Sequence, residues 1–154
     1  MAALCGVMSQ MGYAGAMTPA DNSGVEGQEA LRVRALRDLH VLDSPGDSRF
    51  DRITRLAAQI FAAPRAAIIL VDQDRLFLRS AVGVSAGDYP RMGSLADIMV
   101  SRAQVVICPD IHQDSAFAGL LPALSQVDVR FYACAPLITP GGEVIGLLGL
   151  GDTQ

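Results

Sequence analysis

The string Cys108-Pro109-Asp110-Ile111-His112 places a thiol, a carboxylate and an imidazole close together in the chain. These groups could serve as nucleophile, orienting acid and base if the backbone brought them into register. Closeness in sequence does not supply that geometry. Where a strand stops at Pro109, alternation sends Cys108 and Asp110 to one side, and a cysteine in an apolar run behaves as a small hydrophobe. No activating partner for a reactive thiol is identifiable nearby. Metal binding by Cys108, His112 and Cys134 is also a weak idea, since the chain has 3 Cys and 2 His and Cys5 lies near its start. Neither catalysis nor a metal site is expected.

A second set of chemically able residues lies in "VRFYACAPLITPGGEVIGLLGLGD", residues 129–152, two apolar runs around Thr139-Pro140-Gly141-Gly142. The two-residue period of a strand puts Arg130, Tyr132 and Cys134 on one face. Arg130 would hold an anionic group, and Tyr132 would stack on a ligand or hydrogen-bond it. Asp97, at the start of a short helix, would face them across a cavity, and Ile98 beside it completes the candidate ligand-binding set. Each residue also has a plainer reading: Arg130 as a solvated charge, Tyr132 as a core residue with a wet hydroxyl, Asp97 as a helix cap.

Composition narrows the chemistry further. The 154 residues suit one domain with one core. A net charge of −4 argues against a nucleic-acid partner. All 12 basic residues are Arg, which removes lysine Schiff bases and lysine-dependent phosphate loops. No uncharged run from Leu31 onward approaches the roughly 20 residues of a membrane span. The early residues lack the positive start of a signal peptide. Three unpaired cysteines indicate no disulfide framework, so a reducing cytoplasm is the expected compartment.

The elements that must position these residues follow from periodicity. Residues 1–24 are expected to be a flexible leader, with the domain spanning 25–154. Between Glu26 and Leu42, the residues Leu31, Ala35, Leu39 and Leu42 recur at helical spacing and are expected to pack on a sheet. Val33, Leu36 and Val41 lie off that stripe and point to a second contact, a parallel homodimer through this helix. "SPGD" predicts a second helix capped by Ser44, with Pro45 at its first position, burying Phe50, Ile53, Ala57, Ile60 and Phe61. "RAAIILVD" and "RLFLRSAVG" read as an antiparallel hairpin. "SLADIMVSRA" has Ser94 and Asp97 at capping-box spacing, and "QVVICPD" is a strand. Residues 111–128 are a mixed segment with Asp114 as a helix cap near Phe117 and Leu120, and residues 129–152 form a second hairpin. The plan is α+β.

The order of these pieces, with "ALRDLHVLDSPGDSRFDRITRLAAQIF", "AAIILVDQDRLFLRSAVG", "VVICPDIHQDSAFA" and the last hairpin, resembles a GAF domain of the kind found at the sensory end of bacterial histidine kinases and diguanylate cyclases. The resemblance implies a central antiparallel sheet, two helices on one face, and a short helix with loops over a small-molecule pocket on the other. It also implies a two-component-type signalling role through dimer helices, with an output domain as partner; the ligand and any cofactor stay unknown. The family's Ser-Phe-Cys-Ala-His-like string is replaced here by "GSLADIM". That replacement removes a cysteine used by free methionine sulfoxide reductases of this fold, which remain the enzymatic alternative to a non-enzymatic sensor.

Overall fold

The computed structural model describes residues 22–92, 94–114 and 129–154. Its elements are α1 (Asn22–Asp38), α2 (Ser48–Ile60), β1 (Arg65–Val71), β2 (Arg75–Val82), β3 (Gly87–Pro90), α3 (Leu95–Arg102), β4 (Val106–Cys108), β5 (Phe131–Ile138) and β6 (Val144–Asp152). The strands make one antiparallel sheet in the order β3-β2-β1-β6-β5-β4. Both expected hairpins are present, and β1 and β6 join them at the centre. At Gly146 of β6 a Cβ would lie 2.2 Å from the Ile69 carbonyl oxygen, so only glycine allows the central strands to approach this closely.

The α+β plan with helices on one face and a short helix on the other is as expected. Leu36 packs with Ile68 and Leu70 in one layer, and Ala57 packs with Ala66 and Leu150 beside it, so α1 and α2 share a face. On the other face, α3 sets Ala96, Met99 and Val100 against Val71, Leu76 and Leu147.

Four local expectations need correction. Of the stripe predicted to pack on the sheet, Leu31 and Leu39 face outward, 61% and 49% exposed, and only Leu42 joins the core layer, whereas Leu36 is fully buried and Val33 nearly so. The helix stops at Asp38, and His40 turns the chain with a positive φ of 53°, which lets Val41 and Leu42 fold back onto the layer around Leu36. Ser44 does not cap α2; Asp47 does, accepting the Arg49 N–H at 2.9 Å, and Pro45 lies outside the helix. The buried residues of α2 are Thr54 and Ala57, while Ile53 and Ile60 are exposed.

Strand β3 has no alternating apolar pattern and was not expected; pairing with β2, Leu76 opposite Tyr89, holds it at the edge. Helix α1 begins three residues before the expected start of the domain, and residues 1–21 lie outside those described, as do Phe117, Leu120 and Pro122. No described helix is long and apolar enough to cross a membrane.

Candidate functional site

The face carrying α3 brings part of the predicted set together. In the ladder between β4 and β5, Cys108 pairs with Tyr132 and Val106 with Cys134, so the two thiols and the phenol rise into one layer. Across β5 the neighbour of Cys134 is Gly149. A Cβ there would meet the Tyr132 hydroxyl at 3.5 Å, an ordinary van der Waals contact, so the ring lies directly beside the glycine. Ile98 of α3 packs against the same layer from above.

These groups are held in their neutral forms. Burial raises the Tyr132 phenol well above its ordinary value, and the adjoining Cys134 thiol reinforces the shift. Burial likewise raises Cys134. Cys108 is pushed up to about 11, by burial first and then by the Asp114 carboxylate, to which its Sγ lies at 3.7 Å. At neutral pH such thiols are weak nucleophiles. Asp110 and His112 do not complete a catalytic group with Cys108. The Asp110 carboxylate accepts from Arg130 Nε at 2.9 Å, from the His112 N–H at 3.0 Å and from Gln113 Nε2 at 2.7 Å, and His112 is exposed. Burial works against ionisation of Asp110, but these donors outweigh it and lower its pKa. Among the described residues no group of three or more His, Cys, Asp or Glu side chains is placed to hold a metal.

The remaining predicted site residues sit on opposite rims. Arg130 precedes β5, is exposed, and is tied by its guanidinium to Asp110. Asp97 begins α3: its N–H is accepted by Ser94 Oγ at 3.2 Å, as the capping-box pattern predicts, while its carboxylate accepts from Arg91 Nε at 2.8 Å. The structure thus joins Tyr132, Cys134 and Ile98, and commits Asp97 and Arg130 to different partners.

Arg91 was missed in the sequence, yet it connects the two faces of the molecule. It donates to Glu29 of α1 at 2.5 Å, to the Asp72 carbonyl at 2.7 Å and to Asp97 of α3. Arg32 of α1 donates to Glu29 at 2.7 Å and to the Val71 carbonyl, and Asp72 meets Arg37 at 3.0 Å and Arg75 at 3.5 Å. Arg32 and Asp72 are 6% and 5% exposed, so this is a partly desolvated clamp. Glu29 falls to about 2, chiefly through the Arg32 hydrogen bond, which together with Arg91 outweighs the opposing effect of burial. Glu29–Arg32 and Asp72–Arg75 are spaced i, i+3, but nothing local marks the pairing of Arg91 with Glu29 and Asp97 or of Arg37 with Asp72. The only trace is an excess of Arg in α1 opposite the acidic "DQD" turn between β1 and β2.

Similarity to known proteins agrees with this architecture. The GAF domain profile matches residues 45–154. A cyclic di-GMP phosphodiesterase of Pseudomonas aeruginosa is 28% identical over 126 residues, which cover 82% of this chain and only 22% of that protein. The GAF domain of an Acinetobacter phosphoenolpyruvate-protein phosphotransferase superposes with a TM-score of 0.57 at 15% identity, covering 82% of this chain and 77% of that one. A free methionine-R-sulfoxide reductase of Neisseria meningitidis gives 0.56 at 17% identity, covering 93% and 82%. At these identities the solved structures establish the fold alone. With the profile spanning most of its length, this chain belongs to the GAF domain family.

Proposed function

We propose that the chain is a non-catalytic sensory GAF module that binds a small molecule between α3 and β5 and controls an output domain. Ile98, Tyr132 and Cys134 form the apolar walls, and Asp97 and Arg130 supply the polar contacts, Arg130 exchanging Asp110 for an anionic group of the ligand. The observation that carries this reading is Arg91, which holds Asp97 of the ligand-side helix and Glu29 of α1 at once. A ligand drawing Asp97 away would alter how α1 is held, and α1 pairs with a second copy as a parallel homodimer through Leu31, Ala35 and Leu39.

The similarity to a small part of a much longer cyclic di-GMP phosphodiesterase supports a module working beside an output domain. A histidine kinase or diguanylate cyclase in a bacterial cytoplasm would be such a partner. The raised thiols of Cys108 and Cys134 favour this reading over a reductase of the free methionine sulfoxide type.

Native mass spectrometry of gently purified protein tests the reading. The expected result is a dimer with a discrete excess mass lost on denaturation, and absent from Tyr132→Ala and from Arg130→Ala, which leaves the core intact. A clean unliganded dimer would overturn the ligand role. Methionine sulfoxide turnover abolished by Cys108→Ser or Cys134→Ser would overturn the non-catalytic one.

A further inference from the structure

Helix α2 seats on the sheet through Thr54 and Ala57, yet the flank beside that seat carries Ile53, Leu56 and Ile60, between 50% and 65% exposed. Their spacing of i, i+3 and i+7 puts them in one row. A single exposed aliphatic side chain is ordinary, whereas a row of three on one helix is the kind of patch that partners cover.

The charge around the row is one-sided. Asp47 is taken by Arg49 at 2.7 Å, and Asp51 accepts from Ser80 Oγ at 2.7 Å, so both acids at this end are engaged. Arg52 makes no ion pair among the described residues, and Arg55 bonds the Asp51 carbonyl oxygen at 3.2 Å. In a chain of net charge −4 the flank is a local positive strip.

We propose that this flank docks an acidic amphipathic helix of a protein partner. The partner's apolar stripe lies along Ile53, Leu56 and Ile60, and its carboxylates meet Arg52 and Arg55. A second copy meeting this flank with its own fits poorly, because it would bring the same arginines to the contact while Asp47 and Asp51 are already engaged. The exposed stripe of α1 differs in this respect, since its Arg34 and Asp38 pair at 3.8 Å and leave it balanced. The surface is distinct from the ligand side of the sheet and from α1, so it stands or falls apart from the sensory reading.

Fluorescence anisotropy on the full chain tests the proposal with two labelled helical peptides, each with a leucine stripe, one flanked by Glu and the other by Lys. The Glu peptide should bind at least about ten-fold more tightly, with the difference shrinking at high salt. Arg52→Glu with Arg55→Glu should reverse the preference. Leu56→Glu, a change at an exposed position, should abolish binding while the melting temperature stays unchanged. Equal affinity for both peptides, or binding that survives Leu56→Glu, would overturn the proposal. So would loss of a dimer in Leu56→Glu by sedimentation, which assigns the flank to a second copy. Binding to phosphatidylglycerol–phosphatidylcholine vesicles that Arg52→Glu removes would overturn it in favour of a lipid surface.

Discussion

Helices α1 and α3 lie on opposite faces of one sheet and are held to it by different physics. Helix α3 is seated by Ala96, Met99 and Val100, apolar side chains that bury against apolar neighbours. Helix α1 buries Val33 and Leu36 but also Arg32, whose guanidinium is spent on Glu29 and the Val71 carbonyl. The apolar seat of α3 is non-directional, with the Arg91–Asp97 pair as a directional tie in its first turn. That of α1 is directional, because paired charges lose much of their value when displaced from hydrogen-bonding geometry. In the sensory role proposed above, this asymmetry would set a more compliant helix beside the proposed ligand site and a geometrically defined one beside the proposed dimer contact.

The largest expected effect tests which side of α1 is seated. Leu36→Ala should destabilise the fold by about 2–5 kcal/mol, as for other fully buried leucines, while Leu31→Ala should stay within about 0.5 kcal/mol. Urea unfolding of both variants measures the difference, and equal losses would break the comparison. Next in size, Arg91→Ala should cost roughly 2 kcal/mol, because Glu29 and Asp97 lose a shared, largely buried donor. Hydrogen exchange should then show faster opening in both α1 and α3; faster opening in only one would mean that Arg91 does not join them.

The smallest effect sharpens the ionic side alone. Glu29 titrates near 2 in the folded chain against an ordinary 4.5, so the folded state holds that proton more weakly than the unfolded one. Its stabilising contribution is complete above pH 4.5 and is lost as pH falls toward 2. Glu29→Gln should lower the melting temperature at neutral pH and flatten its decline through this window, whereas Met99→Ala should lower stability without changing the slope.

The same contrast explains what could be read from the residues alone. Helix α3 was legible because its signals are local: Ser94 and Asp97 at capping-box spacing, with apolar positions behind them. Both hairpins were legible because long apolar runs flank short turns. Helix α1 carries two apolar stripes, and the choice between them is made by Arg32, which a periodicity argument places in water. Its burial depends on the Val71 carbonyl, brought near by tertiary structure, together with Glu29 one turn earlier in the same helix. For the candidate site, the common face of Tyr132 and Cys134 followed from strand alternation. The partners of Asp97 and Arg130 did not, since Arg91 and Asp110 reach them through a turn and a loop. Strand β3 was hidden because a four-residue edge strand needs a partner more than it needs an apolar pattern.

The central ladder has a further consequence during synthesis. Ile68 of β1 pairs with Leu148 of β6, eighty residues later, so the N-terminal hairpin keeps one open edge until the last strand has left the ribosome. At about 5–20 residues per second that wait is roughly 4–16 seconds. Throughout it, the strand that becomes the middle of the sheet is an unprotected edge, and nascent chains crowded on one message could pair there with each other instead of with their own C-terminal strands.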